Sequence, residues 1–296
     1  MTHPCTPLSH MDKKDPAVLL TFDVEDWFQV ENFKGSIDFS DWDSFELRVE
    51  KSTGRILDIL DEFPFEPKAT FFILGWIAEK LPGLVLEIHT RWHEVASHGF
   101  HHHLCTTLNQ NDLLQDLTAS RKILEQITGS PVKGFRAPSF AVDNPMLEMI
   151  QKAGYTYDSS YNSFSGHGRY GTLDLSAAAQ KEGAWQVNSH FYEIPVSNLC
   201  IKRRIYPLGG GGYFRLFPFP VFRQGMKSVL KTCNAFVFYA HPWEFDPDQP
   251  RVTRAPKTFK FRHYVNLDRT EHKLRRLIQT FPHCRFVTCA EYITRL

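Results

Sequence analysis

The chain has 296 residues, of which 42% are hydrophobic and 14% aromatic, and a formal net charge of +1. That size and composition provide for a substantial core and exclude a disordered or fibrous protein, and a near-neutral balance without a basic block argues against nucleic acid as the main partner. The six cysteines, Cys5, Cys105, Cys200, Cys233, Cys284 and Cys289, form no CxxC pair, which excludes the usual zinc-ribbon and dithiol redox patterns and predicts free thiols in a reducing compartment.

The first sixteen residues hold no apolar run, so a short disordered head without a secretory signal is expected over 1–16. No window approaches the length of a membrane span. A soluble, cytoplasmic protein is therefore expected, working at most at the inner face of a membrane. AVLLTF (Ala17–Phe22) predicts a buried parallel strand. STGRILDILDEF spaces Ile56, Leu57, Ile59, Leu60 and Phe63 as a helix does, ATFFIL predicts the next strand, and GWIAEKLPGLVLEIHT a helical return. HEVASH predicts a strand that runs into SHGFHHHL. NQNDLLQDLTASRKILEQITG is the clearest helix, with Gly129 where a C-terminal cap belongs. PVKGFRAP predicts a strand, NPMLEMIQKAG a short helix and YTYDSS another strand. From Asn162 to Gly183 the pattern fades, and AWQVNSHFYEIPVS restores a strand. PLGGGGYFRLFPFP reads as a loop, VFRQGMKSVLKTC as helix, NAFVFYAH as strand, EHKLRRLIQTF as helix and CRFVTCAEYI as a last strand and helix. This alternation is the βα rhythm of a parallel sheet or barrel. It predicts one domain over 17–296 with a loop-rich insertion around 163–213.

Polar groups collect where the apolar strands end. Asp23, Glu25 and Asp26 follow the first strand, His98 and its companions follow HEVAS, Arg136 follows VKGF, Asp158 follows YTY and His241 follows AFVFYA. In a parallel α/β array the carboxyl ends of the strands share one face, so these groups should converge on one site. His98 and His102, or His98 and His101, can meet on one side of a helical turn, and spacing alone does not choose between them. Two imidazoles with a carboxylate make a three-ligand open metal site; a solvated histidine loop is the plain alternative. Asp23 can act as general base, Arg136 can hold that carboxylate ionised, and His241 can donate a proton to a leaving amine. For each the bland reading is structural: a helix cap, a surface ion pair and a packed histidine.

Taken in order, TFDVED, SHGFHH, FRAPS, YDSS and FYAHPWEFD resemble the polysaccharide deacetylase family, the NodB-homology group or carbohydrate esterase family 4. DVEDWF, GGGGYFRLFP and HPWEFDP resemble a narrower branch associated with exopolysaccharide biosynthesis in bacteria with exosortase sorting. The resemblance implies a distorted (β/α) barrel of about seven parallel strands. It implies metal-assisted removal of N-acetyl groups from the amino sugars of a polysaccharide or its lipid-linked precursor, usually with zinc. It assigns Asp23 as base, Arg136 as its tether, His241 as general acid, and His98 and His102 as metal ligands. The usual second aspartate is Val24 here; a similar subgroup with an acid-x-acid pattern points to Glu25, with Asp26 as rival. Ser139 is expected to offer a backbone N–H to the oxyanion. Phe140, Trp243 and Tyr213, with Trp27 and Phe28, are expected to wall a sugar site. The competing expectations are an allantoinase-like amidohydrolase on a small amide and an inactive sugar-binding module.

Overall fold

The first strand, β1 (Ala17–Val24), is buried along its whole length, as its unbroken apolar run predicts. In the computed structural model, which describes residues 15–164, 166, 168 and 170–296, it belongs to a ten-stranded sheet and is flanked by strands on both sides. Parallel strands β2 (Ala69–Ile73), β3 (Glu94–Ser97), β4 (Gly134–Phe135) and β5 (Tyr157–Asp158) follow on one side. The sheet ends in β6 (Ala179–Lys181), β7 (Ala184–Asn188) and β8 (Phe191–Glu193); β8 is parallel to β5, and β7 is antiparallel to both β6 and β8. β9 (Asn198–Ile201) and β10 (Arg204–Pro207) form a separate hairpin. On the other side of β1 are β11 (Ala235–Ala240) and the short β12 (Arg285–Phe286), both parallel to it. The path β11-β1-β2-β3-β4-β5-β8 is the distorted parallel barrel expected, left open at its edges.

Helices cover the outside. They are α1 (Val49–Asp61), α2 (Gly75–Lys80), α3 (Pro82–Thr90), α4 (Gln110–Thr128), α5 (Asn144–Lys152), α6 (Gly211–Leu216), α7 (Phe219–Cys233), α8 (Lys257–Tyr264), α9 (Thr270–Thr280) and α10 (Cys289–Ile293). α4 carries both expected ends: the Asn109 side chain accepts from the backbone of Asn111 and Asp112, and Gly129 closes the helix at φ 65°. Among the described residues no helix is long and apolar enough to cross a membrane.

Strand alternation sorts side chains into two cores. Val18, Leu20, Phe22 and Val24 join the large core under the helices. Ala17 and Leu19 face inward with Phe72, Ala96, Tyr157, Ile194, Ala235 and Val237. Each large apolar side chain so buried is worth about 1.5–3 kcal/mol. The same period of two, continued along the inner face, delivers Asp23, His98, Arg136 and His241 to the mouth of the curl.

Four local expectations are corrected. The helical return after β2 is two helices, because Pro82 lacks the N–H to continue α2 and starts α3 instead. AWQVNSHFYEIPVS is a hairpin, β7 and β8, turned at the polar residues Asn188–His190. PLGGGGYFRLFPFP contains helix α6. The histidine loop is not a helical turn: residues 98–103 are irregular, with positive φ at Gly99 (77°) and His102 (56°). The stretch expected to be loop-rich, 163–213, holds β6–β10 and the start of α6, and its residues 165, 167 and 169 lie outside the described residues. Most of the expected disordered head, 1–14, also lies outside them.

Candidate active site

The ends of β1, β3, β4 and β11 contribute the groups of the site. Arg136, just past β4, is fully buried. Its Nη1 donates to Asp23 Oδ1 and to Thr21 Oγ1, both at 2.7 Å. Its Nε and Nη2 donate to the carbonyl and hydroxyl of Ser159, each at 2.9 Å. The guanidinium lies 4.2 Å from the Phe72 ring centroid. A buried arginine is retained only when nearly every N–H is answered, and here the partners come from β1 and the turn after β5. Asp23 Oδ2 is left facing His241, 3.9 Å from its Nε2.

Glu25, His98 and His102, all buried, place one ligand atom each within 4.8 Å of one another. His98 Nδ1 donates to the Arg136 carbonyl at 2.8 Å, which leaves Nε2 as a lone-pair donor. Burial, with His102 close by, pushes His98 down to about 4, so its ring is neutral. Burial alone would raise the Glu25 carboxyl; the imidazoles of His102, His241 and His98 outweigh it and hold Glu25 at about 2. Its Oε2 sits 2.7 Å from His102 Nε2 but makes no hydrogen bond of acceptable geometry, a buried anionic atom without a donor. One carboxylate and two imidazoles, with that atom unanswered, fit a divalent cation. The Trp243 indole N–H donates to the other oxygen, Oε1, at 3.2 Å.

The structure brings Glu25, and not Asp26, to the histidines. Asp26 turns away and accepts from the backbone N–H groups of Trp27, Arg48 and Val49 at 2.8, 2.7 and 2.9 Å. Burial raises its carboxyl to about 6 against those three bonds. Of the remaining histidines in the loop, His101 and His103 face outward beside Asp116 and Phe39.

His241 is held from behind. Its Nδ1 lies 2.9 Å from Glu244 Oε1, and Glu244 Oε2 accepts from Arg215 Nε at 2.6 Å. Arg215 spends its other N–H groups on the carbonyls of Arg262, His263 and Val265. Burial opposes charge on His241, but Glu244, Glu25 and Asp23 prevail and raise it to about 9. The ring stacks on Trp243, 5.0 Å away at 17°, which stacks in turn on His263 at 4.0 Å. Glu244 and Arg215 were missed in the sequence. Glu244 had one usable mark, its place three residues after His241 at the start of a short turn. Gly211 is a condition of this arrangement: a Cβ there would come within 2.2 Å of the Glu244 carboxylate.

These groups line a cleft of about 610 Å³ together with Ser139, Phe140 and Tyr213. Ser139 and Phe140 have left-handed backbone, φ 53° and 57°, a strained turn at the site's edge. Trp243 borders the cleft but is nearly enclosed, with its N–H on Glu25 and its faces between two histidines. Trp27 and Phe28 are buried in the large core.

The polysaccharide deacetylase family matches residues 10–157, and a domain of unknown function (DUF3473) matches residues 159–294. A peptidoglycan deacetylase-like protein of Gibberella zeae is 32% identical over 128 residues, 43% of this chain and 37% of that protein. A peptidoglycan-N-acetylglucosamine deacetylase of Bacillus cereus is 27% identical over 35% of this chain and 47% of that protein. The match thus spans less than half the length of either curated relative. Among solved structures, a provisionally assigned polysaccharide deacetylase from Mycobacterium smegmatis superposes with a TM-score of 0.65 at 19% identity, over 99% of this chain and 94% of that one. A peptidoglycan N-acetylglucosamine deacetylase solved with an N-oxidanyl-benzamide gives 0.53 at 17% identity, over 95% of this chain and 89% of that one. At such identities the two structures speak to the fold.

Proposed function

This chain belongs to the polysaccharide deacetylase family, and from that premise we propose that it is a metal-dependent hydrolase that removes N-acetyl groups from the amino sugars of a polysaccharide or its biosynthetic precursor, releasing acetate. The observation that supports this reading is the facing of Glu25, His98 and His102 by Asp23 and His241 across one cleft. Glu25, His98 and His102 would hold the ion, for which zinc is the natural choice with one carboxylate and two imidazoles. When bound, the ion supplies Lewis-acid polarisation of the acetamide carbonyl.

The rest falls to the chain. Arg136 occupies Asp23 Oδ1 and fixes the carboxylate in place, so Oδ2 accepts the proton of the attacking water. The N–H of Ser139, in the strained turn at the cleft edge, would serve the oxyanion. His241 delivers a proton from Nε2 to the departing amine, while Glu244 fixes the ring through Nδ1 and balances its charge. Water and the acetamide are consumed, and acetate and a free amine are produced. Exopolysaccharide biosynthesis is the setting proposed for it.

Metal-replete protein is expected to release acetate from N-acetylated oligosaccharides and to stop when chelated. Ammonia or carboxylate release from small amides, with no acetate from glycans, would overturn this in favour of an allantoinase-like amidohydrolase. Glycan binding without turnover would leave a sugar-binding module.

A further inference from the structure

One part of the cleft wall, its arm, is built by residues that the polysaccharide deacetylase match does not reach. Leu216 at the end of α6, and Lys257, Phe261 and Arg262 on α8, line it. At about 610 Å³ the whole cleft is in the roughly 300–1,000 Å³ range of sites for ligands larger than one sugar ring.

Charge in this cleft is lopsided once internal pairs are set aside. Asp23 is matched by Arg136, Glu244 by Arg215, and Glu31 by Lys34 at 3.8 Å. Glu25 belongs to the histidine cluster. Among the described residues, the cations of the arm have no such match. Between Arg251 and Asn266 the sequence has no Asp or Glu, yet it carries Arg251, Arg254, Lys257, Lys260 and Arg262. Arg251 lies over the Tyr264 ring and Lys260 donates to the Thr253 carbonyl. Lys257 and Arg262 line the cleft, and among the described residues neither has an acidic partner. Beside them Phe261 is 59% and Leu216 44% exposed, an apolar surface suited to the face of a pyranose.

We infer, on the deacetylase reading above, that the substrate is an acidic N-acetylated glycan, with an oxyanion held by Lys257 and Arg262 and a neighbouring ring resting on Phe261. The shared chemistry is the oxyanion. It comes either from the carboxylate of a uronic acid in the polymer or from the phosphate of a glycosyl diphosphate in the precursor. Charged pairing of this kind selects a ligand and steers its arrival more than it adds raw affinity.

Binding to metal-free protein tests this without reference to turnover. The probes are an oligosaccharide alternating N-acetylglucosamine with glucuronate, a uridine diphosphate N-acetylglucosamine, and neutral chitotetraose. At least one anionic probe should bind about tenfold or more tightly than chitotetraose at low salt. That gap should shrink as salt rises from about 0.01 to about 1 M and the screening length falls from roughly 30 to 3 Å. Reversal of both charges, Lys257→Glu with Arg262→Glu, should erase the gap. Lys227→Glu on exposed α7 surface, outside the cleft, should leave it intact. Whichever anionic probe binds identifies the source of the oxyanion. Equal binding of all three probes, or a gap that survives the double reversal, overturns the inference. An acidic glycan that binds through these residues but yields no acetate to metal-replete protein leaves the inference standing and sinks the deacetylase reading instead.

Discussion

The two halves of the chain contribute to the cleft in different ways. Residues up to 157 supply Asp23, Glu25, His98 and Arg136, each within a residue of the carboxyl end of a parallel strand, and His102 from the loop that follows β3. Their positions are set by the sheet. Residues from 159 onward supply His241 and most of the surrounding wall, and there the strand end is only the start. His241 needs Glu244, Glu244 needs Arg215, and Arg215 is fixed by three carbonyls from α8 and the turn beyond it. The first half places groups by backbone geometry; the second places them by a chain of side-chain contacts. Damage should therefore spread differently in each.

The sharpest way to break this contrast lies in the first half. Asp23→Asn should cut acetate release by about 10²–10⁴-fold, the usual worth of a positioned base, while metal content by elemental analysis stays near that of the parent. His98→Ala or His102→Ala should lose the metal as well as the activity. Full activity in Asp23→Asn would end the base assignment. In the second half, Glu244→Gln keeps the shape but removes the charge behind His241. A fall in kcat of about tenfold to a hundredfold is expected, with bound metal unchanged. An unchanged kcat would show that His241 needs no charge from Glu244.

Much of this was legible in the sequence. The run ending in Asp158 gave a strand, but Asp158 follows the inward Tyr157, turns to Ser160 and does not line the cleft. The apolar runs ending in Asp23, His98, Arg136 and His241 gave both the parallel sheet and the convergence. Their common side follows from the period of two, because residues 17, 19, 21 and 23 alternate inward. The same count continues to Glu25 and skips Asp26, a usable sign for choosing between them. Spacing left His101 and His102 open as the partner of His98, and only the family resemblance chose His102; the helical turn that the spacing suggested is not formed, because left-handed backbone at Gly99 and His102 folds the loop back. Arg215 was not legible. It lies 29 residues from Glu244 and its other partners are backbone carbonyls, which no pattern of residue types announces. Asp26 gives the third prediction. Asp26→Ala should leave metal content unchanged and destabilise the fold by about 1–2 kcal/mol, through loss of the cap on Trp27, Arg48 and Val49. Metal loss in that variant, with metal kept in Glu25→Ala, would reverse the assignment.

The gentlest test sits on the seam between the halves. Asp158 on β5 pairs in register with Glu193 on β8, and both carboxyls are buried. Asp158 is already engaged by the backbone and hydroxyl of Ser160, and Glu193 Oε1 accepts from the Tyr161 N–H at 2.9 Å. Glu193 Oε2 has no donor, which is resolved if it carries a proton and donates it to Asp158. Burial and the Asp158 charge accordingly raise Glu193 well above its ordinary 4.5. The unfolded chain gives up this proton near 4.5 and the folded chain keeps it to higher pH. Above that point the unfolded state binds fewer protons, so this group's contribution to stability, full below about 4.5, declines as pH rises toward the folded value. The slope is at most about 1.4 kcal/mol per pH unit for one such group. Glu193→Gln keeps an acceptor for Tyr161 and offers an N–H to Asp158 at every pH. Denaturant unfolding of parent and variant should give similar stability near pH 4 and a growing advantage for Glu193→Gln toward pH 8. Parallel curves would mean that the seam holds no shared proton, and that the halves are joined there by the β5–β8 backbone ladder and packing without it.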